Sequence, residues 1–268
     1  MTAAFAAGWP TAAALVRRSA NELIRVPGAA IPGVLAPTIF FIGISSVFGN
    51  LPDQQGFVVD NYQSFLIPVS LLQGAGFTGA ATGVNLARDI EQGWFDRLLA
   101  SPAPRSALLA GLVASATIRS LVPATVLLTV AFAIGANWPG ALGLIVMLLA
   151  VMAMGTAAAL WGCLLALRFR TQSAAPLMQA GMFILILMTT SYAPRELLQG
   201  WLQTVSDINP VTQVLEMARQ GFVTGGVSWA ETWPGAVALA GLIADGDHVD
   251  LVFKARVNLV RILNTTMA

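Results

Sequence analysis

Long apolar runs separated by short polar clusters set the pattern of this chain. A helix needs roughly 20 apolar residues, at about 1.5 Å rise each, to cross a hydrocarbon core of about 30 Å. Stepping from one polar cluster to the next predicts spans over residues 28–48, 62–86, a stretch within 106–136, 141–167 and 174–192. The loop 50–56 and the turn Asn137-Trp138-Pro139-Gly140 carry residues that stop helices. Residues 194–232 are more polar and helical in period. Residues 233–244 are apolar again, but as a helix they reach only about 18 Å, so a sixth span there is atypically short.

Upstream of span one, residues 3–16 are apolar but interrupted by Gly8-Trp9-Pro10, and Arg17, Arg18 and Arg25 follow them. A cleaved signal peptide has the reverse order. The pattern predicts an interfacial amphipathic helix within 1–27, with its arginines toward headgroups. Pro27, Pro32 and Pro37 crowd the start of span one, where neighbouring helices must satisfy the freed carbonyls. Span two carries Gly74, Gly76, Gly79 and Gly83, so one face is nearly bare backbone. Gly79 and Gly83 form a small-xxx-small pair, which serves either packing within one subunit or a seam between two.

Composition turns the pattern into a class. Of 268 residues, 56% are apolar and only 10% are charged, against about 25% charged in an average soluble domain. Mean hydropathy is +0.74. The expected fold class is an all-α integral membrane protein, with room for roughly five to seven helices. A net charge of +1 gives no basic field for nucleic acid. The lone Cys163 lies in an apolar run and reads as a buried small residue. One histidine, His248, is too few for a zinc site or a catalytic triad. Lys254, the one lysine, follows no glycine-rich phosphate loop. Asp245, Asp247 and His248 read as a turn, because a hard-ion site needs more oxygen ligands. The expectation is a chain with no catalytic residues, no metal and no ATPase site of its own.

Arginine placement sets the expected orientation. Arg17, Arg18, Arg25, Arg88, Arg97, Arg105, Arg168 and Arg170 fall on one side of the spans, and Arg195 and Arg219 on the other. The N-terminus is therefore expected in the cytoplasm, in a multi-pass protein of the cell membrane. No Asp or Glu lies in the five spans. Proton-driven pumps use such residues as relays, so the pattern favours an energy source in another chain. Arg119 is the ionisable candidate. If Ser106 opens span three, Arg119 lies deep, at a cost of at least about 2.5 kcal/mol; if the span begins later, it snorkels to the interface. Gln73, Thr78, Thr82, Asn85, Gln179, Thr189 and Thr190 make interhelical hydrogen bonds or line a path.

Between spans two and three, Ile90, Trp94 and Leu98 recur every four residues, while Arg88, Asp89, Glu91, Asp96 and Arg97 take other faces. This predicts one short amphipathic helix over 88–102, stopped by Pro102 and Pro104. On periodicity alone it is a surface helix. The order Glu91-x-Gly93-x-x-x-Arg97-Leu98-Leu99-x-x-Pro102 resembles the cytoplasmic signature of ABC type-2 exporter permeases, the family of daunorubicin-resistance-type drug exporters and polysaccharide exporters. Pro194…Trp201…Asn209-Pro210…Arg219-x-x-Phe222 is similar to the family's stretch between its last two spans. The resemblance covers roughly residues 15–240.

What the resemblance implies is specific. It implies a six-span transmembrane domain over 28–244. Residues 88–102 would be a coupling helix that docks on a separate ATPase subunit through Arg88, Asp89, Glu91, Gly93, Phe95, Arg97, Leu98, Leu99 and Pro102. Residues 194–228 would form short re-entrant helices capping the outer end of the path, with Pro194, Trp201, Asn209, Pro210, Arg219 and Phe222. Gln73, Gly79, Gly83, Asn85 and Arg119 are the candidates for path lining or packing. The residues themselves agree in part. Asn209 is a good N-cap and Pro210 a good first helical residue. Val211, Val214, Leu215, Ala218 and Phe222 make one apolar helical face. Trp201 would be an interfacial anchor.

The C-terminus departs from the family. Asp245-Gly246-Asp247-His248-Val249-Asp250 interrupts the apolar run, and 245–268 reads as a polar, then amphipathic, tail. Either the last span is short and tilted, or the chain returns without crossing, or an altered end replaces the usual one. The implied function is the permease subunit of an ATP-driven exporter, paired with a second copy or a homologous permease. It would move a hydrophobic or amphipathic cargo (a drug, lipid-like or glycolipid molecule) out of the cytoplasm. ATP and magnesium would bind in the partner, with no cofactor in this chain. The rival is an ATPase-independent secondary transporter or channel, against which the acid-free spans argue.

Overall fold

In an apolar medium every backbone N–H and C=O must be paired internally, and helices achieve this within one segment. The computed structural model describes residues 10, 13–18, 21, 31–49, 61–99 and 105–244, and the regular structure among them is entirely helical. Residues 10, 13–18 and 21 are helical; the rest of 1–27 and all of 245–268, the tail, lie outside the described residues. The helices are α1 (Ile31–Phe48), α2 (Tyr62–Glu91), α3 (Trp94–Leu99), α4 (Arg105–Arg119), α5 (Leu121–Ala133), α6 (Gly140–Phe169), α7 (Ala175–Leu187), α8 (Trp201–Ile208), α9 (Pro210–Val223) and α10 (Trp229–Ala244). Among the described residues, three helical stretches are long and apolar enough to cross a membrane: Tyr62–Glu91, Ala107–Ala133 and Gly140–Phe169. α1 and α7 are shorter apolar helices.

Ala107–Ala133 combines α4 and α5, which meet at Ser120. The break has a cause in sequence. Pro123 has no N–H to give, and its ring clashes with the carbonyl four residues back, on Arg119. The Ser120 hydroxyl donates instead to the Thr117 carbonyl at 2.7 Å.

Glycine decides which helix sits at the centre. α2 packs against α1, α5, α6, α7 and α9, and most extensively against α6. Its glycines do not share one bare face, as the sequence suggests; they are aimed at different neighbours. A Cβ on Gly74 would sit 3.1 Å from the Gly33 carbonyl of α1 and from Pro123 of α5. On Gly76 it would meet Ile186 of α7 at 3.2 Å. On Gly79 and Gly83 it would overlap the backbone of Gly155 and Gly162 of α6. The Gly79–Gly83 pair is therefore spent on packing within the subunit. Its counterpart on α6 is a face of Gly155, Ala158, Ala159 and Gly162, with Cys163 buried beside it. Lipid tails are as apolar as leucine, so backbone-to-backbone packing of this kind is what holds two membrane helices together.

α10 begins four residues earlier than the apolar run 233–244 and has 16 residues in all, about 24 Å of helix. It packs mainly on α9, where Gly235 abuts Met217 and the Gln213 carbonyl.

Candidate functional site

Polar side chains gather at both ends of α2. At the first end the chain turns a corner. α2 does not stop at Leu86 but runs on to Glu91, and Gln92–Gly93 then breaks it. Gly93 has φ +68°, a left-handed conformation that glycine adopts without steric cost, and its N–H closes on the Ile90 carbonyl at 3.1 Å. The single helix expected over 88–102 is thus two pieces meeting at an elbow, the end of α2 and the short α3. The four-residue spacing of Ile90, Trp94 and Leu98 carries across the turn, which is why periodicity joins them. All three are half-buried, whereas Phe95 is the buried anchor of the elbow at 2% exposure. Arg88, Gln92, Asp96 and Arg97 are exposed. Leu98 packs on the edge of the core, Leu99 is the last residue of α3, and Pro102 lies outside the described residues.

Contacts from elsewhere in the chain converge on this elbow. Arg18, from helical residues 13–18, lies 4.0 Å over the Trp94 ring and pairs with Asp89 at 3.4 Å. Glu91 accepts the Gln172 N–H at 3.0 Å. The Thr171 hydroxyl first, and that N–H second, hold the Glu91 carboxyl below the usual range. Thr171 is also the N-cap of the 3-10 turn Gln172–Ala174, which leads directly into α7. Thr171 was findable: a threonine just after Arg168-Phe169-Arg170 and just before an apolar run is an N-cap signal.

Arg119 lies inside the helix layer. It donates to Thr82 Oγ1 at 2.7 Å, and Thr82 is about 10 Å along α2 from Asp89. A narrow polar cleft lined by Arg18, Asn85, Asp89, Ser115 and Arg119 connects it to the elbow end. Arg119 is therefore neither at the surface nor at the bundle centre, but in the half nearer the elbow.

At the other end, α7 ends at Leu187, five residues before the limit expected from hydropathy. Thr189, Thr190 and Ser191 offer hydroxyls that compete for backbone groups and so discourage helix. The carbonyls released by this unwinding are taken up one by one. Those of Leu185 and Met188 accept the Asn209 amide at 2.7 and 2.9 Å. That of Ile186 accepts the Thr189 and Ser191 hydroxyls at 2.7 and 2.6 Å. That of Thr190 accepts the Arg219 guanidinium at 2.8 Å. That of Tyr192 accepts the Tyr62 hydroxyl at 3.0 Å, and Gln73 donates to the Tyr192 hydroxyl at 3.0 Å. Arg219 is only 3% exposed, stacks 3.7 Å over Phe65 and pairs with Glu216 at 3.0 Å.

The remaining residues singled out between 194 and 222 follow their chemistry. Asn209 caps α9 through the Val211 N–H at 2.9 Å, and Pro210 is its first residue. Val211, Val214, Leu215, Ala218 and Phe222 are all buried against the bundle. Pro194 precedes the 3-10 turn Arg195–Leu197, and Trp201 opens α8 with its ring exposed. Sequence reasoning missed Tyr62, Phe65, Tyr192 and Glu216. Glu216 had a signal, since it lies three residues before Arg219 on one helix.

Arg195 and Asp207 tie the 3-10 turn to α8 with two bonds of 2.6 Å. The Arg195 hydrogen bond holds the Asp207 carboxyl below its usual range. Both partners are exposed, where water and salt weaken such pairs. Asp207→Asn is expected to leave thermal unfolding of the purified protein unchanged within error at neutral pH. A depressed carboxylate contributes only above its folded-state value, so acid is expected to erase even that small difference between variant and parent.

Three helical stretches able to cross a membrane, with polar clusters at both ends of the central one, define a multi-pass helical membrane protein. The sequence profile of the ABC-2 type transporter family matches residues 11–223. The chain belongs to that family and is an ABC transporter permease. It is 27% identical over 221 residues to a protein carrying the name transport permease ycf38 from Cyanophora paradoxa, covering 80% of this chain and 74% of that one. It is 24% identical over 189 residues to the daunorubicin resistance ABC transporter permease protein DrrB1 of Streptomyces coeruleorubidus, covering 70% and 66%. It is 25% identical over 184 residues to a protein named as multidrug ABC transporter permease YbhR of Escherichia coli K12, covering 65% and 48%.

Proposed function

We propose that this chain is the transmembrane subunit of an ATP-driven exporter. It works as a dimer with a second copy or a homologous permease, on a six-span plan in the cell membrane with its N-terminus in the cytoplasm. The observation that carries this reading is the elbow. It holds exposed Arg88 in the last turn of the most buried helix and exposed Asp96 and Arg97 beyond its end, on a base anchored by Phe95. A charged knuckle on a rigid rod is suited to receive force from a separate protein. ATP and magnesium bind in that partner, and this chain contributes no ligand to them. The cargo is hydrophobic or amphipathic, of drug, lipid-like or glycolipid class, which matches the apolar composition of the spans. The names of the relatives support drug export as the role.

Affinity purification of the tagged protein from native membranes in mild detergent tests the reading. An ATP-hydrolysing subunit is expected to accompany the wild type and to be lost, largely or wholly, from Arg97→Glu. Membrane insertion and thermal stability of that variant are expected to be unchanged, because Arg97 is exposed. A wild-type protein that carries no ATPase under these conditions removes the reading.

A further inference from the structure

We propose that Glu91 is a positioning residue that hands displacement of the elbow to α7, rather than a residue that grips the ATPase. This rests on the reading of the elbow as the docking element. Glu91 is the last residue of α2, immediately before the Gln92–Gly93 break. Its side chain is exposed, but its carboxylate is engaged within the chain: it accepts the N–H of Gln172, 81 residues on, at 3.0 Å. That N–H belongs to the 3-10 turn opening α7. The Gln92–Gly93 turn breaks the helix, so α3 is not a continuous extension of α2. Displacement of α3 therefore has two routes onward. One is the length of α2, which is locked to α6 by backbone packing. The other is Glu91, which meets the start of a shorter and less buried helix.

The far end of α7 completes the argument. Its unwound segment is held by Tyr62 of α2 directly and by Gln73 of α2 through the Tyr192 ring hydroxyl. Between these points Gly76 lets Ile186 approach the α2 backbone. α2 thus contacts α7 at the first turn, near the last turn and beyond it. A pull on the first contact, with the last one fixed, tilts α7 rather than translating it. The moving end is the one Glu91 holds.

The test uses the intact complex of permease and co-purified ATPase in lipid nanodiscs, where reagents reach both faces, and needs no knowledge of the cargo. Ala193→Cys places a thiol just past the unwound segment, while the native Cys163 is fully buried. The readout is its labelling rate by a membrane-impermeant maleimide, with and without ATP plus vanadate. In the Ala193→Cys parent, the nucleotide is expected to change the rate by about tenfold, an ordinary coupling between sites. Adding Glu91→Ala is expected to abolish that response while the ATPase still co-purifies. Glu91→Gln is expected to restore part of the response, because its amide oxygen still accepts the Gln172 N–H. A merely structural role would lower stability and ATPase recovery instead and would leave the response of the surviving complexes intact. Loss of the ATPase from Glu91→Ala would make Glu91 a docking residue and overturn the proposal. An equal response in parent and Glu91→Ala would overturn it too. Failure of the docking reading is separately visible, as absence of ATPase from the parent.

Discussion

Gly83→Ala is expected to abolish accumulation of folded protein, or to cost at least the upper end of the ~1–3 kcal/mol usual for overpacking. The reason is what the new methyl group meets. It would overlap the carbonyl and Cα of Gly162, which are backbone atoms with no rotamer to change. The two helices must then move apart along the seam that includes Gly79 with Gly155 and Ala158. That seam has no hydrophobic drive to compensate, since separation in lipid exposes apolar surface only to apolar solvent. Gly43→Ala in α1 is the matched control. Nothing lies within 4 Å of the added Cβ there, and alanine favours helix over glycine by about 1 kcal/mol. It is expected to be neutral or slightly stabilising. Fluorescence-detected size-exclusion chromatography after a temperature ramp compares the two. Similar melting of both variants would show that the α2–α6 crossing does not carry the fold.

How far the sequence alone reaches is visible in the same helices. Hydropathy placed α2 and α6 because both are long and continuous, and the five residues that the 3.6-residue period put on one face of α9 are all buried, with Thr212, Met217, Arg219, Gln220 and Gly221 buried beside them. The Asn209-Pro210 start of α9 was legible because capping is local chemistry. What periodicity could not see was where a helix stops for a tertiary reason. Gly93 breaks the elbow through a φ that no pattern of apolar residues encodes. α7 unwinds before Tyr192 because Asn209, Arg219 and Tyr62, all distant in sequence, supply partners for its carbonyls. Apolar content argues for helix there, and the partners that override it come from other elements. The spacing of Gly79 and Gly83 marks a packing pair but does not name its partner, which is the small face of Gly155, Ala158 and Gly162 on α6. The role of Glu91 was hidden in the same way, since its spacing from Arg97 says nothing of Thr171 and Gln172.

Arg219→Met is expected to destabilise the protein by on the order of 3 kcal/mol, while Glu216→Gln costs less than about 1 kcal/mol. The asymmetry decides what the arginine is for. If its main partner were Glu216, removing either member of the pair would have a similar effect. The structure distributes the bonds otherwise. The Glu216 side chain is 44% exposed and can return to water, whereas the Arg219 side chain is 4% exposed. Its guanidinium also serves the carbonyls of Thr190 and Ser191, at 2.8 and 3.4 Å. Methionine fills similar volume over Phe65 but donates nothing, so those carbonyls are left unpaired where no water reaches them. Arg219→Lys is expected to fall between, since an ammonium cannot fork to two carbonyls and stack on an aromatic face at once. Thermal unfolding of the four proteins in one detergent checks the order. Equal losses in Arg219→Met and Glu216→Gln would show an ion pair at work. The expected inequality makes Arg219 the residue that lets α7 end early without leaving its carbonyls unpaired.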